Sequence, residues 1–157
     1  MTWFRSLPQV VSVCSIETAA SNTVTYSQCF TSGATATSQC TAWTTFVAQL
    51  TPRAYTLLTI RGTQDLVGVT VTDATVISNI ASALRTSTAY GPVTSNSRSW
   101  AVGSCGTAYE LSASGTTCQC ASPGYIARPC LTNLNWGGIN NITCSAASQT
   151  ITVIFQY

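Results

Sequence analysis

Eight cysteines, at positions 14, 29, 40, 105, 118, 120, 130 and 144, are the residues of this 157-residue chain most open to chemistry. Thiols serve as metal ligands, as redox centres or as covalent cross-links, and spacing separates the three. Zinc sites are built from paired C-x2-4-C units or from mixed Cys/His sets. Here Cys118-Gln119-Cys120 is the closest pair, and histidine is absent. Thiol redox catalysis favours a C-x-x-C motif, which the chain lacks. An even set without either pattern reads as a disulfide framework formed in an oxidising compartment. Cys14, Cys29, Cys40, Cys105, Cys118, Cys120, Cys130 and Cys144 are therefore expected to be bridged. Three of them precede residue 100 and five follow it, so at least one bridge is expected to join the two halves. The short segment CFTSGATATSQC favours a local Cys29–Cys40 bridge, which leaves Cys14 to reach the C-terminal cluster.

Other chemistry is sparse. General acid–base work most often uses histidine, and a nucleophilic Ser or Cys needs a base beside it. The carboxylates are Glu17, Asp65, Asp73 and Glu110. Asp73 reads as a helix cap, Asp65 as a turn residue, and Glu17 and Glu110 as exposed strand ends or partners of arginine. No catalytic residue is expected, the chain reads as non-enzymatic, and no cofactor is called for. Hard-cation sites need several oxygen ligands in a short loop, and no D-x-D occurs. Tyr125 and Trp136, the latter in the run Asn135-Trp136-Gly137-Gly138, form a candidate sugar-binding platform. The competing and preferred reading is a Gly-Gly turn with Trp136 packed over a disulfide. Asn141-Ile142-Thr143 is an N-glycosylation acceptor, which makes Asn141 a candidate glycan site in the same oxidising compartment.

Composition narrows the partners. Charged residues make up 6% of the chain, against about 25% in ordinary soluble domains. Lysine is absent; six arginines face four acids, and 27 Thr with 19 Ser fill the gap. Soluble monomers usually keep a charged surface to resist association. A chain this poor in ions is expected to be coated with sugar or to bury its surface against copies of itself. Six scattered arginines make no phosphate-binding stripe, so no nucleic acid is expected. No run approaches the roughly 18 apolar residues of a membrane span.

The elements that must position these residues follow from periodicity. Residues 9–16, 22–28, 54–62, 66–72, 99–105, 107–113 and 149–157 read as strands. Trp43, Phe46, Val47 and Leu50 at i, i+3, i+4, i+7 predict a helix starting near Ser38 and ending before Pro52. A second helix runs from an Asp73 cap, with Val76, Ile77, Ile80 and Leu84 on one face, until Gly91-Pro92 stops it. Residues 95–99 read as a loop, and the cysteine-rich stretch 118–144 as irregular. The expected fold is a single α+β domain over 1–157: antiparallel sheet, two short helices packed on it, and a disulfide-stapled irregular C-terminal region.

Both ends are apolar. Trp3, Phe4, Leu7, Val11 and Val13 lie at one end, and Phe155 and Tyr157 close a strand at the other. Either they belong to the core, or they form a subunit interface in which one terminal segment, residues 1–10 being the candidate, adds a strand to the next copy. Few charges, abundant Thr and Ser, paired cysteines, a glycan acceptor and apolar ends together resemble the glycosylated, disulfide-bonded subunits of extracellular microbial filaments. That resemblance implies a non-catalytic subunit, located outside the cell or on its surface, that polymerises head to tail by strand addition and carries glycans. The alternative expectation is a carbohydrate-binding or adhesive domain of a larger cell-surface protein.

Overall fold

A computed structural model describes residues 19–30, 36–62, 65–104, 109–114, 124–127, 130, 137–140 and 149–157. The chain forms β1 (Thr23–Phe30), α1 (Ala36–Ala48), β2 (Leu57–Gly62), β3 (Asp65–Val71), α2 (Ala74–Thr86), β4 (Tyr90–Ser95), β5 (Arg98–Ser104), β6 (Tyr109–Ser112), β7 (Gly124–Ala127), β8 (Gly137–Asn140) and β9 (Gln149–Gln156). One antiparallel sheet has the order β1-β9-β2-β3 and a second the order β4-β5-β6-β7-β8. The fold is α+β, as its alternation of strand and helix periods requires.

The apolar residues of the first sheet line up in rows across all four strands. Val24, Phe155, Leu58 and Val71 form one row, and Tyr26, Val153, Ile60 and Val69 the next. Side chains alternate along each strand, so these rows share a face. Onto that face α1 lays Trp43 and Phe46. Tyr26 meets Trp43 edge-on with ring centroids 5.0 Å apart, and Phe46 stands 6.0 Å from Phe155. Aromatic pairs in such geometry add about 0.5–1.5 kcal/mol each beyond the area they bury. The Trp43 Nε1 donates to the Tyr109 carbonyl at 3.0 Å, so the same indole reaches the second sheet. α2 touches β2 of one sheet and β4, β5 and β6 of the other, sealing the core between them.

Local signals explain the helix ends. The Asp73 carboxylate accepts from the backbone N–H groups of Thr75 (2.9 Å) and Val76 (3.1 Å), the expected cap. The other end stops sooner than Gly91-Pro92. Ser87 adopts the left-handed conformation, and Thr88 N–H donates to Ala83 O at 2.9 Å, which closes the helix at Thr86. Gly91 and Pro92 instead lie in β4, a strand the sequence pattern did not reveal. The expected loop 95–99 is a tight hairpin. Asn96 and Ser97 both have positive φ, 49° and 59°, and Ser95 pairs with Arg98. Two left-handed residues in a two-residue connection match the twist of the flanking strands.

Two further expectations are corrected. Cys40 is bridged to Cys130, with Cα atoms 4.4 Å apart, and so is not the partner of Cys29. Cys40 lies one helical turn before Trp43 on α1, whose indole reaches the second sheet at Tyr109, and that side of the helix meets the buried Cys130. Part of the stapled stretch is regular: Gly124–Ala127 pairs with Gly137–Asn140, so Gly137 and Gly138 sit in a strand and not in a turn. Cys14, Cys105, Cys118, Cys120 and Cys144 lie outside the described residues, as do Asn141 and Trp136.

Candidate functional site

Among the described strands β3 lies at an edge of the first sheet, and its start is deformed. Gly62 pairs with Asp65 and Ile60 with Val69, so Leu66, Val67 and Gly68 stand opposite the single residue Arg61. Such a bulge bends an edge and re-aims its side chains. Gly68 makes it possible: its φ is +67°, and a Cβ there would lie 2.1 Å from the Ile60 carbonyl oxygen. Only glycine fits both the left-handed backbone and that approach.

The bulge is pinned from within. One Asp65 carboxylate oxygen, Oδ1, accepts from Gly68 N–H at 2.9 Å, while Oδ2 accepts a short hydrogen bond from the Tyr125 hydroxyl on β7. The Arg98 guanidinium lies over the Tyr125 ring, 4.9 Å from its centroid. One aspartate thus joins β3 of the first sheet to β7, an inner strand of the second. The Tyr125 hydroxyl and the Gly68 amide, aided by the Arg98 charge, hold the Asp65 carboxyl below the usual carboxylate range against the opposing effect of its partial burial. Burial, together with the bond to Asp65, pushes the Tyr125 phenol up to about 12.

What the bulge presents is apolar. Leu66 is 71% and Val67 82% exposed; with Tyr157 at 40%, they are the exposed large hydrophobic residues among the described part of the chain. The two side chains stand adjacent and outward on the braced bulge of β3. Among the described residues no group of three His, Cys, Asp or Glu is placed to hold a metal.

The residues singled out from the sequence fall elsewhere. Tyr125 is buried and its hydroxyl is committed to Asp65, so it offers no sugar platform. Phe155 is enclosed in the core against Phe46 and Tyr55 and is not open to a neighbouring subunit. Tyr157 remains partly exposed, with the Arg53 guanidinium 4.0 Å above its ring. Glu110 is buried on β6, which removes the exposed strand end from the two readings given for it and leaves the other, a partner of arginine, untouched. Trp3, Phe4, Leu7, Val11, Val13 and Glu17 lie outside the described residues. The Leu66–Val67 pair was missed because residues 66–72 read as an uninterrupted strand. Its signal was two adjacent apolar residues breaking the alternation between an Asp and a Gly three positions on.

No family model, no curated protein and no solved structure matches this chain. No described helix is long and apolar enough to cross a membrane.

Proposed function

We propose that this protein is a non-catalytic structural subunit of an extracellular, glycosylated filament or fibril, whose copies join head to tail by strand addition. The carrying observation is the four-stranded sheet and its two unlike edges. β9 is paired on both sides within its own subunit, so the C-terminal strand is not the donor. Among the described strands β1 lies at one edge of this sheet: its eight residues, TVTYSQCF, hold no charge, proline or register break, and no described strand pairs with its outer side. Natural edges are usually blunted by such devices to prevent pairing with other chains. The opposite edge, β3, carries the bulge with Leu66 and Val67. Surfaces on opposite edges of one sheet make a heterologous contact, and repeating a contact that does not close generates a filament.

Residues 1–10 of a neighbouring copy are the donor on β1, and Leu66 and Val67 supply an apolar side contact. Few charges and the Asn141 acceptor support the same reading, because sister molecules and sugar then cover what ions do not. The Cys40–Cys130 bridge fits an oxidising, extracellular setting. The alternative of a carbohydrate-binding or adhesive domain loses Tyr125 from its platform. Electron microscopy of undenatured material tests the proposal: regular fibres are expected, and their absence at every concentration would remove it.

A further inference from the structure

Away from both sheet edges, a cleft of about 290 Å³ opens between the segment after α1 and the outer face of α2. Its apolar floor includes Leu50, Pro52 and Ala81. On α2, Ser78, Ala81, Ser82 and Arg85 follow the i, i+3, i+4, i+7 spacing of a single helix stripe, so two hydroxyls and a guanidinium face one opening. Arg53 enters from the facing side. Its guanidinium lies over the Tyr157 ring and donates to Thr51 Oγ1 at 2.7 Å, and Tyr55 donates its hydroxyl proton to Thr51 O at 2.7 Å. The ring stack orients Arg53 before any ligand arrives, and a held guanidinium loses less freedom on binding an anion.

Two of the chain's six arginines therefore converge on one cleft, and among the described residues no Asp or Glu lines it. Burial raises the Tyr55 phenol above its ordinary range, and the charges of Arg53 and Arg85 both act against that rise, so both cations bear on the same hydroxyl. Like charges gathered beside an apolar floor, with hydroxyl groups at hydrogen-bonding positions, complement an oxyanion attached to a hydroxylated, partly apolar ring. The volume lies at the small end of ligand pockets, about 300 Å³ and upward, which matches one ring.

We infer that the cleft between Arg53 and Arg85 is a binding site for an acidic saccharide unit, with a carboxylate or sulfate taken by the two guanidinium groups and ring hydroxyls by Ser78 and Ser82. The inference stands apart from filament formation: it needs neither the β1 edge nor the bulge.

Saturation-transfer NMR on the disulfide-intact protein, monomeric or assembled, with sodium glucuronate, galactose 6-sulfate and glucose as probes tests it. Saturable signal is expected from one or both acidic sugars and not from glucose; the stronger of the two identifies the preferred anion. Arg85→Gln and Arg53→Gln should each weaken binding about tenfold or more while leaving the melting curve in place, since a charge-assisted hydrogen bond is lost from an exposed or half-exposed side chain. Equal binding of glucose, unchanged affinity in both variants, or competition by inorganic sulfate without signal from either acidic sugar would each overturn the assignment.

Discussion

Replacing Leu66 and Val67 together by serine tests the part given to the bulge. Fully burying a Leu or Val side chain is worth about 1.5–3 kcal/mol. In the single chain 71% of Leu66 and 82% of Val67 still faces water, so the proposed association has most of that area left to remove. Scaled by those fractions, the pair offers about 3 kcal/mol per contact, and its loss should raise the critical concentration for assembly about a hundredfold. The fold itself should hardly notice. Exposed substitutions away from caps and cores stay within about 0.5 kcal/mol, and neither Asp65 nor Gly68 is altered. Light scattering against concentration gives the first quantity and thermal unfolding the second. An unchanged critical concentration with an unchanged melting temperature would refute the role of the bulge in assembly. A collapse in stability would show that the two side chains are core residues and not a contact surface.

Four further outcomes follow from the same geometry. Cys40→Ala with Cys130→Ala opens a bridge of sequence separation 90, which in the chain-entropy account removes up to about 4.6 kcal/mol; urea unfolding measures it, and a loss below about 1 kcal/mol would contradict the account. Gly68→Ala should destabilise by more than about 1 kcal/mol, because the new Cβ meets the Ile60 carbonyl and the left-handed backbone at once; a neutral result would dismiss the bulge geometry. The Asp65–Tyr125 pair makes stability depend on pH at both ends. The Asp65 carboxyl is lowered by folding, so its contribution is present above about 3.8, the ordinary value, and is lost as pH falls below it; the Tyr125 phenol is raised, so its contribution is present below 10.0 and is lost as pH rises through about 12. Tyr125→Phe should flatten both limbs, and denaturation curves that keep them would remove the pair as their cause. Deleting residues 1–10 should abolish assembly while the four-stranded sheet persists by circular dichroism, and fibres formed without that segment would exclude it as the donor.

Much of the fold was legible because its signals are local. The Asp73 cap and the stripe of Val76, Ile77, Ile80 and Leu84 define α2 without any tertiary knowledge, and the Trp43–Leu50 spacing does the same for α1. What was hidden depends on partners distant in the chain. β7 is buried at all four positions, Gly124 to Ala127, so it shows no alternation. β8 opens on Gly137-Gly138, which reads as a turn until β7 is placed beside it. β4 was masked by a Gly-Pro pair, and α2 ended early at Ser87, a residue whose left-handed conformation nothing in its type announces. Cys40 meets Cys130 only once α1 has docked, which no spacing rule encodes. The candidate site was partly visible in Asp65 as a turn residue. Its link to Tyr125 spans sixty positions and had to be seen.

Sedimentation velocity of the native, disulfide-intact protein over a wide concentration range tests self-assembly most directly. The account predicts growth into long, non-closing polymers above a threshold concentration. A single species of one chain's mass, 16.5 kDa plus any glycan, at every concentration would contradict it.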